Sequence, residues 1–208
     1  SKKKIPIIIS TGMAYEKEID DAINVCKKNQ KKIALLKCTS IYPAPMNTLN
    51  LKTIEKLKQK YNLPVGYSDH ALGIDASVYA VALGASIIEK HFTLDKSEAG
   101  ADHKISLEPK EFKLMVKKIR ELEKIMGTSK LQPTEKEKKL RKLYYRKVVS
   151  LQKIKKGERF TLNNLSLKRT SSSLKGLKPK YFFKILGKIA LKNVQIDKAI
   201  SISDFSRK

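Results

Sequence analysis

The sequence predicts an α/β fold, four βα units followed by a small β-rich domain. Over the first two thirds, short β-branched runs alternate with stretches of helical apolar spacing. Beyond a charged connector, short strand-like pieces separated by turn signals take over. Two histidines, His70 and His91, each close a strand-like run and precede a polar loop. In a strand–helix–strand unit, two such residues point into one site. That arrangement suits a divalent metal, and a metal at the end of a parallel sheet suggests an enzyme.

Taken in order, Pro6 to Ser10 reads as a strand ended by Thr11-Gly12. Tyr15 to Gln30 is a helix, with apolar spacing through Ile19, Ala22, Ile23 and Cys26. Lys32 to Cys38 is a buried strand. Leu51 to Tyr61 is a helix with Asn50 as its cap. Pro64 to Tyr67 is the third strand, Ile74 to Leu83 a helix ended by Gly84, and Ala85 to Phe92 the fourth strand. Pro109 to Met126 is a long amphipathic helix, with Pro109 in its first turn and Gly127 at its end. Four βα units cannot close a barrel of eight, so the sheet is open or its other half lies elsewhere.

Leu131 to Arg146 is the charged connector. Val148 to Leu151, Arg159 to Leu162 and Ser166 to Arg169 follow as short strands. An internal echo marks this region: Ile154, Phe160, Asn164 and Leu165 match Val194, Ile200, Asp204 and Phe205 at the same offsets. Two related halves are expected.

The chain has 208 residues and a formal net charge of +25, which raises a nucleic-acid-binding reading. The lysines are spread along the whole length, however, and aromatics make up only 7% with no Trp. A platform for stacking bases needs aromatics interleaved with charge. The favoured reading is a coat of lysines on exposed helix faces, with a positive field that helps recruit anionic small substrates. Cys26 and Cys38 fit neither a disulfide framework nor a zinc ribbon, so a reducing, cytoplasmic location is expected. No apolar run approaches the length that spans a membrane.

Glu89 lies two residues before His91 and so shares its strand face. A carboxylate flanked by Ile87 and Ile88 needs a partner, for which a lysine is the ordinary choice. Ser10-Thr11-Gly12, Thr39-Ser40 and Ser68 each follow or end a strand. Their hydroxyls collect at one end of the sheet, where they suit a phosphate or carboxylate, or serve as ordinary turn residues.

Four ordered segments carry a resemblance: Leu35 to Pro45, Gly66 to His70, Ile88 to Asp95, and Asp102-His103-Lys104 with Ser106 to Pro109. Together they resemble the N-acetylneuraminate (sialic acid) synthase family, which includes the legionaminic and pseudaminic acid synthases. Ile154 to Glu158 and Leu186-Gly187-Lys188 resemble its C-terminal antifreeze-like (SAF) domain. The resemblance implies the last four βα units of a TIM barrel over residues 1–130, a linker over 131–146 and an SAF domain over 147–208. It implies condensation of phosphoenolpyruvate with an N-acetylated hexosamine such as N-acetylmannosamine, giving a nine-carbon keto acid and phosphate.

By match to the family motifs, His70 and His91 would ligate a divalent metal, Mn²⁺ rather than Mg²⁺ given two nitrogen donors. Glu89 would contact the sugar near the reacting centre, and Tyr42 would line the sugar pocket. Ser10, Ser40 and Ser68 would hold phosphoenolpyruvate. Asp102 would sit by metal and sugar. Arg169 would reach the active site, that of the partner subunit in the family homodimer.

The sequence departs from the family pattern in three places. The family's opening strands carry a glutamate and two lysines for phosphoenolpyruvate, and the resemblance aligns this chain's first strand with the fifth. Arg169 is followed by Thr170-Ser171-Ser172-Ser173 rather than Pro-Gly, and Ser40 stands where some members have Asn. Lys37 and Lys178-Pro179-Lys180-Tyr181 resemble the pseudaminic branch, whereas Asp102-His103-Lys104 resembles the sialic and legionaminic branches. The alternatives to an enzyme half awaiting its complement are an inactive truncated product and a basic nucleic-acid-binding protein.

Overall fold

The computed structural model describes residues 5–28, 32–169 and 176–205. The chain divides into two compact units, Ser1–Thr128 and Ser129–Lys208.

The first unit is half a barrel. Its parallel sheet has the order β1 (Ile7–Ser10), β2 (Ile33–Cys38), β3 (Val65–Asp69), β4 (Ile88–Lys90). Helices α1 (Glu16–Lys28), α2 (Thr53–Tyr61) and α3 (Asp75–Ala82) connect the strands, and α4 (Pro109–Met126) follows β4. Strand alternation sends Ile33, Leu35, Val65 and Tyr67 to the helix side. There they pack with Ile23, Ile54, Leu57, Ala76 and Ala80 in one core. The opposite face carries Ile8, Leu36, Gly66 and Ser68. A Cβ on Gly66 would come within 2.4 Å of the Ile87 carbonyl and 2.6 Å of Leu36 Cδ2, so a bare backbone lets the neighbouring strands close over it. Ile8 on this inner face is 55% exposed.

The helix ends largely follow the sequence signals. Glu16 and Glu18 lie in the first turn of α1 and Lys27 and Lys28 in its last, matching the helix dipole. α4 starts with Pro109 inside a Glu108–Glu111 capping box and stops at Gly127. The expected Asn50 cap is a correction. α2 begins at Thr53 after Lys52 with no side-chain cap. Asn50 instead takes a left-handed conformation (φ 49°) and donates its Nδ2–H to the Thr48 carbonyl at 3.2 Å. The fourth strand is also shorter than expected. Beyond Lys90 the chain pairs with a returning loop instead, through a parallel Phe92–Leu107 bridge and a Leu107 N–H to His91 carbonyl bond of 2.8 Å.

The second unit opens with helix α5 (Glu135–Tyr144), so the stretch expected as a polar connector is largely helical. Thr134 and Glu137 form a capping box, and the charged body of the helix satisfies its own backbone. Strands β5 (Arg146–Ser150) and β6 (Leu165–Arg169) pair antiparallel, followed by the short helix α6 (Phe182–Ile185). Arg159 to Leu162 is not a strand; it contributes one bridge, Arg159 to Ile189, before a turn.

The internal echo is a local two-fold. Ile154 and Val194 exchange both backbone hydrogen bonds, at 2.9 and 2.8 Å. Phe160 and Ile200 are both fully buried. Asn164 Oδ1 accepts from the Thr161 N–H at 2.8 Å, and Asp204 Oδ2 accepts from the Ser201 N–H at 2.6 Å. Gly157 and Asp197, at matching positions, both have positive φ.

Candidate active site

The site lies at the C-terminal ends of β3 and β4. Their register sets Ser68 beside Glu89 and Asp69 beside Lys90, which carries His70 and His91 to neighbouring strand ends. Ser68, Glu89 and the two histidines belong to the inner face, whereas Asp69 and Lys90 belong to the helix side. A cavity of about 230 Å³ is lined by Ser68, Asp69, His70, Glu89, Lys90 and His91.

The two imidazole rings stand 5.2 Å apart between centroids. His70 is buried, and its Nδ1 lies 3.1 Å from the Thr39 carbonyl. A carbonyl only accepts, so this contact places a proton on Nδ1, and in the neutral tautomer Nε2 is the nitrogen open to a ligand. The Cys38 thiol lies 3.7 Å from the same Nδ1. His91 Nδ1 lies 3.8 Å from Asp102 Oδ2, beyond a hydrogen bond. The Tyr42 ring covers both histidines, at 4.2 Å from His70 and 5.7 Å from His91. Desolvation, then the charges of Cys38, Asp102 and Glu89, push the Tyr42 phenol above its ordinary pKa.

Glu89 finds a hydroxyl rather than a lysine. Ser68 Oγ donates to Glu89 Oε1 at 2.7 Å, which orients the carboxylate on the inner face. Ser40 sits against the turn after β1. A Cβ on Gly12 would come 2.1 Å from Ser40 Oγ, so the glycine makes room for that hydroxyl. Ser10 ends β1, and Thr11 Oγ1 donates to the Leu36 carbonyl at 3.0 Å. Lys37 Nζ donates to the Cys38 carbonyl at 2.7 Å and to Thr39 Oγ1 at 3.2 Å, and burial holds its ammonium below the usual lysine pKa. The loop bearing Asp102 is pinned by Thr93 Oγ1 to His103 Nδ1 at 2.8 Å and by Ser106 Oγ to the Asp102 carbonyl at 2.6 Å.

The β3 and β4 ends thus bring together His70, His91, Glu89 and Ser68, with Tyr42 over the histidines and Asp102 beside His91. Among the described residues, no group of three or more His, Cys, Asp or Glu side chains converges to hold a metal ion. Arg169 ends β6 in the second unit, exposed and in register with Arg146. The Thr170-Ser171-Ser172-Ser173 loop lies outside the described residues.

Two residues were missed by reading the sequence, Asp69 and Lys90. Their side chains are 0% and 1% exposed and pair at 3.1 Å. The signal was present: opposite charges at adjacent strand positions, each immediately before a histidine. Burial, then the charge of Asp69, drives the Tyr67 phenol far above its usual range.

Histidines, a carboxylate and hydroxyls thus gather at the C-terminal ends of the parallel strands of half a βα barrel, the end at which barrels of this class carry their active sites. Residues 1–131 match the NeuB family model and residues 145–206 the SAF domain. The chain belongs to the NeuB family and carries an SAF domain. It is 47% identical to N,N'-diacetyllegionaminic acid synthase of Campylobacter jejuni, over 93% of this chain and 58% of that protein. It is 44% identical to a Campylobacter jejuni pseudaminic acid synthase, over 99% of this chain and 59% of that protein. Among solved structures, the N-acetylneuraminic acid synthetase of Leptospira borgpetersenii superposes with a TM-score of 0.62 at 43% identity. That match covers 65% of this chain and 47% of the other. The chain therefore spans just over half the length of the curated relatives it matches.

No helix among the described residues is long and apolar enough to cross a membrane.

Proposed function

We propose that this chain is the site-bearing C-terminal half of a nonulosonic acid synthase, joining phosphoenolpyruvate to an N-acetylated hexosamine with release of phosphate. The observation that carries this reading is the pairing of His70 and His91 above the Ser68–Glu89 contact on one inner face. Two imidazoles, one with its Nε2 left free, fit a Mn²⁺-type ion that keeps open positions. Such an ion, when bound, supplies Lewis acidity to the sugar aldehyde oxygen as the carbon–carbon bond forms.

This chain's residues do the rest of the work on this side of the barrel. Tyr42 walls the sugar pocket beside the histidines. Glu89, oriented by Ser68, accepts hydrogen bonds from the sugar near the reacting carbon. Asp102 holds a sugar hydroxyl from the pinned loop beside His91. Ser10 and Ser40 offer hydroxyls to the phosphate or carboxylate of phosphoenolpyruvate, and Ser68 is placed to share that task with its bond to Glu89. Attack of the enol carbon on the aldehyde leaves a cationic C2 and an alkoxide. Water adds at C2 and gives one proton to the alkoxide. The C2–O bond to phosphate then breaks as the remaining hydroxyl loses its proton to the departing phosphate and becomes the ketone.

The complementary βα units supply the missing inner face and the cationic groups for phosphoenolpyruvate. The enzyme works in the cytoplasm as a homodimer in which Arg169 of one subunit reaches the sugar of the other. With those units supplied, His70→Ala or His91→Ala should each cut phosphate release from phosphoenolpyruvate, N-acetylated hexosamine and Mn²⁺ by two orders of magnitude or more, about 3 kcal/mol of barrier. Undiminished release in both variants overturns the reading.

A further inference from the structure

We propose that the buried Asp69–Lys90 pair is a positioning clamp that sets the spacing of His70 and His91 from behind the sheet. The inference deepens the active-site reading above and rests on it for the roles of the two histidines.

The hydrogen bonds form a closed circuit. Asp69 Oδ1 accepts from the Ala71 N–H at 2.9 Å. Asp69 Oδ2 accepts from Ser77 Oγ at 2.7 Å and faces Lys90 Nζ at 3.1 Å. Lys90 Nζ returns to the Ala71 carbonyl. Ala71 therefore has its N–H and its C=O held by the two charged partners. His70 lies between Asp69 and Ala71, and His91 directly follows Lys90. One circuit thus fixes the backbone on both sides of the first imidazole and the residue leading into the second. Ser77, in the first turns of α3 and fully buried, ties the circuit to the helix layer.

Stability alone does not account for the pair. Stripping water from two charges costs about as much as their attraction returns, and an apolar pair of similar volume serves a core as well. A clamp that must hold two strand ends in fixed relation gains from charge, because only this geometry satisfies every partner. Strand alternation sends the two charged side chains to the helix side and the histidines to the inner face. Although both residues belong to the cavity wall, their side chains are buried, so the clamp acts through the histidines.

The test uses the intact natural protein with Asp69→Leu and Lys90→Met made together, which removes both charges and leaves neither unpaired. Two measurements are read: Mn²⁺ affinity by calorimetry, and the imidazole ¹⁵N spectrum without metal. The wild-type His70 should show one fixed tautomer with Nδ1 protonated. The double variant should melt near the wild-type temperature, bind Mn²⁺ about tenfold or more weakly, and lose the single-tautomer signature. A folded double variant with wild-type affinity and an unchanged imidazole spectrum overturns the proposal. Wild type that binds no Mn²⁺ refutes the metal reading, while the imidazole spectra still decide the clamp. Should the double variant fail to fold, Ser77→Ala decides: it should weaken binding severalfold and broaden the His70 signals, and no change in either overturns the clamp.

Discussion

The two units satisfy their hydrophobic surfaces in different ways. The C-terminal unit closes on itself: related halves meet at Ile154 and Val194, and each puts one large residue, Phe160 or Ile200, at zero exposure. The N-terminal unit buries the outer face of its sheet and the middle of the inner face, where Leu36 and Ser68 are covered, but leaves the inner face open at β1. Helices cover the outer face, while the inner face carries Ile8 at 55% exposure together with the site residues. A two-fold repeat within one small domain completes a core. Four βα units of an eightfold architecture complete a helix layer and leave the barrel interior to be shared.

The largest expected effect separates the units physically. Residues 129–208 expressed alone should give a monomer with a cooperative thermal transition. Residues 1–128 alone should self-associate through the sheet's open edges and inner face. Size-exclusion chromatography with light scattering checks both. A monodisperse monomer from 1–128 would break the comparison.

Next come core truncations. Phe160→Ala should cost about 3–5 kcal/mol by denaturant unfolding of the C-terminal unit. Ile8→Ser should change the stability of this chain by less than about 0.5 kcal/mol, because its side chain is already half in water. When the complementary barrel units are present, the same Ile8→Ser change should become costly.

A smaller effect separates the two halves of the repeat. Burial alone would raise the pKa of Asp204, but Lys192 and the Ser201 backbone and hydroxyl outweigh it and hold the carboxyl below its usual value. A depressed folded-state pKa contributes stability above the unfolded value near 3.9, which is lost as pH falls through the folded pKa. Its counterpart Asn164 does the same turn-capping work without titrating. Asp204→Asn should therefore cost about 0.5–1.5 kcal/mol at pH 7 and flatten the acid limb below about pH 4. An acid limb identical to wild type would assign the sensitivity to other carboxylates.

Much of the fold was legible because local signals agreed. β-branched runs marked β1 to β4, Pro109 and Gly127 bounded α4, and the repeat announced itself at matching offsets. Asn50 misled, because an asparagine before a helix serves a left-handed turn as readily as a cap. The connector was read only as charge, although Thr134 and Glu137 spelled a capping box. Within the candidate site, motif and strand end pointed to His70, His91 and Glu89, which the fold brings to neighbouring strand ends. The partner of Glu89 was not legible, since only register reveals that Ser68 stands beside it. Asp69 and Lys90 carry a sequence signal, a charge immediately before each histidine, but only cross-strand register shows that they pair. Arg169 was legible as the end of a strand, which is where β6 stops.

The most direct test of the half-barrel account is complementation. Phosphate release from phosphoenolpyruvate, N-acetylmannosamine or its diacetylated hexosamine analogues, and Mn²⁺ is measured for residues 1–208 alone and then with the four N-terminal βα units of a relative added in cis or in trans. The account predicts no detectable release from the chain alone and release on complementation that His91→Ala abolishes. Turnover by the unassisted chain, or none after the completed barrel is shown to fold, would contradict it.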